Sequence, residues 1–274
     1  MKRFFTTLLV VSATTVLFNA CKKDAREAAP EATNEVSQAT LNKIASLGFS
    51  ADNVHKVANG YLVEGDIILT EENLSSPSAS PNLIIAQEEQ YRTTNLVKSL
   101  PRTITVSVTN LPTVYSTATD NAISRYNAQG LQIQFQRVSS GGDIDIIGFN
   151  EGPSGGYITL GSSGFPTSNG DPYSQIKMNT NQYAYGTNPD AGYIASVIQH
   201  EIGHCIGFRH TDYMDRSYSC GGSYSNEGAS TVGAVWIANT PQTAEPNSWM
   251  LACISANQDR PFDKYDVTAL NALY

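Results

Sequence analysis

The sequence predicts an α+β fold, and three observations carry that prediction. From Arg102 onward the pattern runs strand, helix, strand, strand; a long helix is expected from Asp190 to Gly207; and 41% hydrophobic against 15% charged residues in 274 is enough apolar content for one sizeable core and a small second module. The net charge of −8 argues against a nucleic-acid partner. A phosphate-binding surface needs clustered Lys and Arg, and no such cluster follows residue 26.

The chain opens "MKRFFTTLLVVSATTVLFNAC": Lys2 and Arg3, then an apolar run from Phe4 to Phe18, then small or polar residues before Cys21. Residues 1–20 therefore read as a secretory signal peptide, because the run is shorter than the about 20 residues needed to cross a bilayer. The stretch "LFNAC" resembles the lipobox of bacterial lipoproteins, with Phe18 where Leu or Val is more usual. That resemblance implies lipidation of Cys21, anchoring to the outer membrane or cell surface, and membrane contact only through the lipid. Residues 21–40 are polar, alanine-rich and free of aromatic side chains, as a disordered tether would be.

A small unit follows. "TLNKIASLGF" reads as helix closed by Gly48, "NGYLVEGDIILT" as two strand segments around Glu64-Gly65-Asp66, and "SSPSASPN" as a Ser/Pro linker. Residues 41–101 thus form a small module and connector ahead of a main domain, 102–274.

In that domain "TITVSV" (103–108) and "LQIQFQRV" (131–138) alternate as strands do, while 113–129 carries helix spacing through Val114, Ala118, Ala122, Ile123 and Tyr126. "DIDIIGF" (143–149) is a third strand, with "GGYITL" and "QIKMN" as candidates for two more. The last long helix runs through "AGYIASVIQHEIGHCIG", with Asp190 as N-cap and Gly207 as its end.

Three of the four histidines fall in "VIQHEIGHCIGFRHTD". His200 and His204 are four apart and share a helix face, about one turn apart, which suits two imidazoles on one ion. Gly207, free to adopt positive φ, turns the chain so that His210 reaches the same ion. Three imidazoles and a water describe a Zn²⁺ site with one exchangeable position, and Glu201 beside it is placed to act as general base and acid. A structural zinc site would more often close with a fourth protein ligand, and Cys205 points about 100° away around the helix from His204. Asp212 is a candidate second carboxylate, orienting a ligand histidine. His55 has no ligand spacing and reads as a surface residue.

The pattern H-E-x-x-H-x-x-G-x-x-H resembles that of the metzincin zinc endopeptidases, and "HEIGH" with its surroundings is similar to the bacterial dual-action HEIGH metallopeptidases. The resemblance covers about 103–274. It implies a twisted, mostly parallel sheet and two long helices above a short C-terminal subdomain ending in a helix. "FDKYDVTALNALY" supplies that helix, with Asp263 as cap. It also implies a methionine turn, for which "PNSWMLAC" offers Met250, and one catalytic zinc ion. In some metzincins a Tyr two residues after that Met joins the metal site; here the position is Ala252. By the same analogy a peptide substrate would pair with the edge strand near 155–162, and 211–247 would build the specificity pocket.

"LVEGDI" resembles the pro-segment of astacins, in which an Asp of a Gly-Asp pair blocks the zinc. This makes Asp66 the expected latency ligand and the chain a zymogen, although Gly65-Asp66 is also an ordinary turn dipeptide. With Cys21 lipidated, Cys205, Cys220 and Cys253 remain, an odd count that permits one bridge. Cys220 with Cys253 is the expected pair, since both lie in loop-rich sequence and Cys205 inside the helix; sequence alone leaves the pairing open.

The reading is a secreted, monomeric zinc endopeptidase acting on protein or peptide. Its alternatives are a non-catalytic zinc-binding surface lipoprotein on a protease scaffold, and a hydrolase of non-peptide substrates. "GGDID" is too short a carboxylate cluster to indicate calcium.

Overall fold

A computed structural model of the chain describes residues 36–47, 49–75, 90–154, 156–228, 233–241 and 243–274. The signal peptide, Cys21, most of the tether, Gly48 and the Ser/Pro linker beyond Ser75 lie outside the described residues.

In chain order the elements are α1 (Gln38–Ser46), β1 (His55–Val57), β2 (Gly60–Val63), β3 (Ile67–Leu69), α2 (Glu71–Ser75), β4 (Tyr91–Arg92), β5 (Arg102–Thr109), α3 (Thr113–Asn127), β6 (Ile133–Arg137), β7 (Ile144–Phe149), β8 (Gly161–Ser162), β9 (Gln175–Asn179), α4 (Gln182–Tyr185), α5 (Ala191–Ile206), α6 (Ser217–Cys220), β10 (Val235–Trp236) and α7 (Lys264–Leu273). Among the described residues no helix is long and apolar enough to cross a membrane.

The main sheet has the order β6-β5-β7-β9-β8. Its first four strands are mutually parallel and β8 is antiparallel to β9, so the sheet is mostly parallel with a reversed edge. Connections between the parallel strands must cross a face of the sheet, which α3 does between β5 and β6. Ile104, Val106, Ile133, Phe135, Ile144, Ile146, Ile176 and Met178 are buried from the strands, and Tyr115, Ala118, Ala122 and Tyr126 from α3. α3 packs on α5, where Tyr126 Oη donates to the Gln199 carbonyl (2.8 Å). These are the two long helices of the domain.

α5 begins where the Asp190 side chain accepts the Tyr193 amide (2.8 Å), and it ends at Gly207 with φ 110°. Nearly all of α5 is buried, so its length is held by packing rather than by exposed-face pairs. α7 carries a capping box between Asp263 and Asp266.

Two sequence expectations change. The described part of "GGYITL", residues 156–160, is not a strand: the edge strand is only Gly161–Ser162, and residues before it are held by the side chain of Asn179, which donates to Thr159 O and Glu151 O (both 2.8 Å). Glycine-rich backbone offers few side chains to pack, so a side-chain clamp replaces a longer ladder. Helix α1 starts at Gln38, inside the stretch read as tether, because Ser37 caps the Thr40 amide.

The first three strands form their own antiparallel sheet, β1-β2-β3, over a small core of Ile44, Leu47, Phe49, Val63, Ile67, Leu69 and Leu74, completed by Phe165 of the main domain. The segment after residue 90 is built into the main domain: β4 pairs with β10, and the Thr93 amide donates to Gly207 O (2.7 Å).

Candidate metal centre

The buried face of α5 presents His200 and His204, and the turn at Gly207 returns His210 to them. A Cβ at position 207 would come 2.8 Å from Leu96 Cδ2 and 3.0 Å from Asn95 O, so space as well as positive φ requires glycine there. His204 Nε2 and His210 Nε2 are 3.2 Å apart. Asp66 Oδ2 lies 3.0 Å from His210 Nε2 and 3.6 Å from His200 Nε2. One ligand atom from each of these four residues falls within 4.8 Å of all the others.

Each imidazole is oriented by an acceptor at its other nitrogen. His200 Nδ1 donates to Trp249 O (2.9 Å), His204 Nδ1 to Phe208 O (2.8 Å) and His210 Nδ1 to Glu227 Oε1 (2.8 Å). With Nδ1 as the protonated nitrogen, each Nε2 turns a lone pair to the common centre. His200 Nε2 and Asp66 Oδ1 are buried there with no hydrogen-bond partner. Converging lone pairs and orphaned acceptors fit a cation, and three nitrogens plus a carboxylate oxygen suit zinc.

Glu201 is buried beside the cluster. Ser163 Oγ donates to its Oε2 (2.6 Å), and a Cβ on Gly161 would come within 2.9 Å of its Oε1, so the edge strand is glycine where it passes this carboxyl group. Burial, and then the nearby Asp66 carboxylate, push the Glu201 carboxyl well above the ordinary range. For Asp66 burial acts upward, but the facing His210 and His200 hold it well below its usual value. Burial opposes a charged His210 as well, but the Asp66 and Glu227 carboxylates raise its pKa well above the ordinary value; a cation at the centre would take the place of the Nε2 proton that they favour.

Met250 is buried against α5. Gly203, the fourth residue of "HEIGH", leaves room for it: a Cβ at 203 would come 2.6 Å from Met250 Sδ and 3.2 Å from Trp249 Nε1. The Met250 turn is tied down by Asp266, which accepts from Trp249 N (3.1 Å) and Gln90 Nε2 (2.6 Å), while Gln90 also donates to Ser248 Oγ (3.0 Å). Cys220 and Cys253 form a disulfide, and Cys205 is a free, buried thiol within α5.

Asp66 arrives on the turn between β2 and β3, where Glu64 and Gly65 take φ of 55° and 92°. Its strand lies along the main sheet's edge: Ser163 N donates to Asp66 O (2.9 Å), Ile68 N to Ser163 O (2.7 Å), and Thr159 Oγ1 to Gly65 O (2.9 Å). Arg216 donates through Nη1 to Glu64 O and pairs with Glu227 through Nε (3.2 Å).

One sequence assignment is corrected. Asp212 does not orient a histidine; its oxygens accept from Ser219 Oγ (2.5 Å) and Ala252 N (2.9 Å), so it braces the loop that the disulfide joins. The carboxylate behind His210 is Glu227, which sequence reasoning missed. Its one signal was that it is the lone acid between Asp215 and Glu245. His55 is exposed on β1.

No curated protein is similar enough in sequence to match the chain. Among solved structures, a "Crystal structure of myroilysin" is 16% identical over 43% of this chain at a TM-score of 0.30, and the chain spans only 48% of that one. A "Structure of myroilysin" is 15% identical over 66% of this chain and 96% of that one, at a TM-score of 0.42. The model of the dual-action HEIGH metallo-peptidase family matches residues 61–274, a span that holds all four residues of the cluster and the glutamate between the first two histidines. The chain belongs to the dual-action HEIGH metallopeptidase family.

Proposed function

We propose that the protein is a zinc endopeptidase of metzincin type, made as a latent precursor in which Asp66 occupies the position that water and substrate need. The observation that carries this reading is the convergence of Asp66 Oδ2 on the same centre as the three Nε2 atoms. His200, His204 and His210 would hold the ion. A bound zinc ion supplies Lewis acidity, polarising a peptide carbonyl and making water a nucleophile near neutral pH.

The chain's own residues do the rest. Glu201 takes a proton from the attacking water at Oε1, the oxygen left free by Ser163, and delivers it to the departing amine nitrogen. The raised proton affinity of Glu201 suits a group that must both accept and return a proton. Residues 159–163 align an extended peptide, as they align residues 65–68 here. Export by the signal peptide and anchoring through a lipid on Cys21 complete the reading, supported by the N-terminal sequence.

Zinc content and hydrolysis of a peptide mixture test it together. Glu201→Ala should keep about one zinc and lose hydrolysis; Asp66→Ala should keep zinc and gain hydrolysis over the full-length parent. An active Glu201→Ala variant would sink the mechanism, and an unchanged Asp66→Ala variant the latency.

A further inference from the structure

A cavity of about 720 Å³ opens beside the metal centre, and its lining includes His200, Glu201, Val197, Leu251 and Arg260. Arg260 is 8% exposed. Its backbone amide donates to Ser196 Oγ (2.7 Å), which fixes it one helical turn, about 6 Å, before His200 along α5.

The guanidinium of Arg260 is under-satisfied. Nη1 donates to Cys253 O (3.2 Å) and Nη2 to Gln258 Oε1 (3.4 Å), both neutral acceptors, and the buried Nε has no partner. Among the described residues no carboxylate pairs with it, whereas Arg209 and Arg216 share Glu227, and Arg125 has Asp259. The two acids nearest in effect, Asp212 and Asp266, spend their oxygens on Ser219, Ala252, Gln90, Trp249 and Asp263. A buried cation without a counter-charge is costly, and the open side of this one is the cavity that a bound peptide would enter.

We infer that Arg260 is a specificity-determining residue that takes a carboxylate side chain, Asp or Glu, of the residue next to the cleaved bond. This rests on the peptidase reading. The carboxylate fits the guanidinium's forked donors and supplies the missing charge. Residues of the small N-terminal module, Glu64 and Asp66 among them, line the same cavity, but among the described residues none of them pairs with Arg260; Glu64 instead accepts from Arg216 at its carbonyl.

The test uses full-length, zinc-loaded protein carrying Asp66→Ala and Glu201→Gln, so that peptides bind without being cut. Blocked hexa-alanine peptides with a single Glu, scanned through each position, are compared by calorimetry with their Gln counterparts. Glu should be favoured about tenfold at one position. In Arg260→Gln that ratio should fall towards one, and in Arg260→Lys part of it should return, a pattern that a merely structural role would not produce. With Arg260 in place, equal affinities at every position, or no binding of either series, overturn the inference, so the decision does not depend on the variants folding. If the Glu preference is found but restoring Glu201 yields no hydrolysis, the pocket stands and the peptidase reading fails.

Discussion

His210 Nδ1 lies 2.8 Å from Glu227 Oε1, and both side chains are buried, so a carboxylate seventeen residues downstream sets the tautomer and ring angle of the third histidine. Glu227 in turn pairs with Arg216 (3.2 Å). The third histidine is thus held by a chain of charges rather than by the helix that holds the first two.

Replacing Glu227 by Gln should weaken zinc binding about 10- to 100-fold, the usual cost of losing a carboxylate behind a ligand histidine. Competition with a fluorescent chelator measures this. Affinity equal to the parent's would mean that Glu227 does not set the ligand.

Gly203→Ala adds a methyl group 2.6 Å from Met250 Sδ in a fully buried place. Alanine is the better helix former, so propensity alone predicts a gain of about 1 kcal/mol. Overpacking at this distance should outweigh it and leave a loss of about 1–3 kcal/mol. Chemical denaturation should show that loss shrinking in a Met250→Ala background, since the two sites are in contact.

Asp266 should make stability fall as pH rises. Burial, and then the neighbouring Asp263, raise its carboxyl from 3.8 to about 7. Between those values the unfolded chain releases a proton that the folded chain keeps, so its contribution is complete below about pH 4 and gone by about pH 7, at most about 4 kcal/mol. Urea unfolding across that range, set against Asp266→Asn, isolates the effect. The Asn variant keeps one oxygen for Trp249 N and Asp263 N but turns an NH2 towards Gln90 Nε2, so it should be less stable overall and should lack this part of the slope.

The Cys220–Cys253 bridge closes a sequence separation of 33, worth about 3–4 kcal/mol in the chain-entropy treatment. The double serine variant should lose a comparable amount. Hydrogen exchange should rise first around Cys253, whose amide is held by Ser219 Oγ (3.0 Å).

How much of this was readable in the sequence depends on the range of the interaction. Asp190, His200, Glu201, His204 and Gly207 lie within one helix and its caps, where a repeat of 3.6 residues and the steric freedom of glycine determine direction. The parallel strands were readable from alternation and β-branched content. Glu227 was not, because it sits in Gly-, Ser- and Asn-rich loop without periodicity, placed by Arg209, Arg216 and His210 across the fold. Ser163 and Gly203 were missed for the same reason: their importance is a close approach to Glu201 and Met250, and such distances exist only once the layers pack. Pairing alone misjudged "GGYITL", where Asn179 does what a ladder does elsewhere.

Ser163 faces two ways. Its peptide group exchanges hydrogen bonds with the strand lying in the cleft, and its hydroxyl fixes one oxygen of Glu201. Whatever chain docks at this edge therefore also sets the angle from which the acid's other oxygen looks out. Under the proposed mechanism a poorly seated guest would be met by a badly aimed carboxyl group, and discrimination between guests would then be exercised in rate even where their affinities are alike.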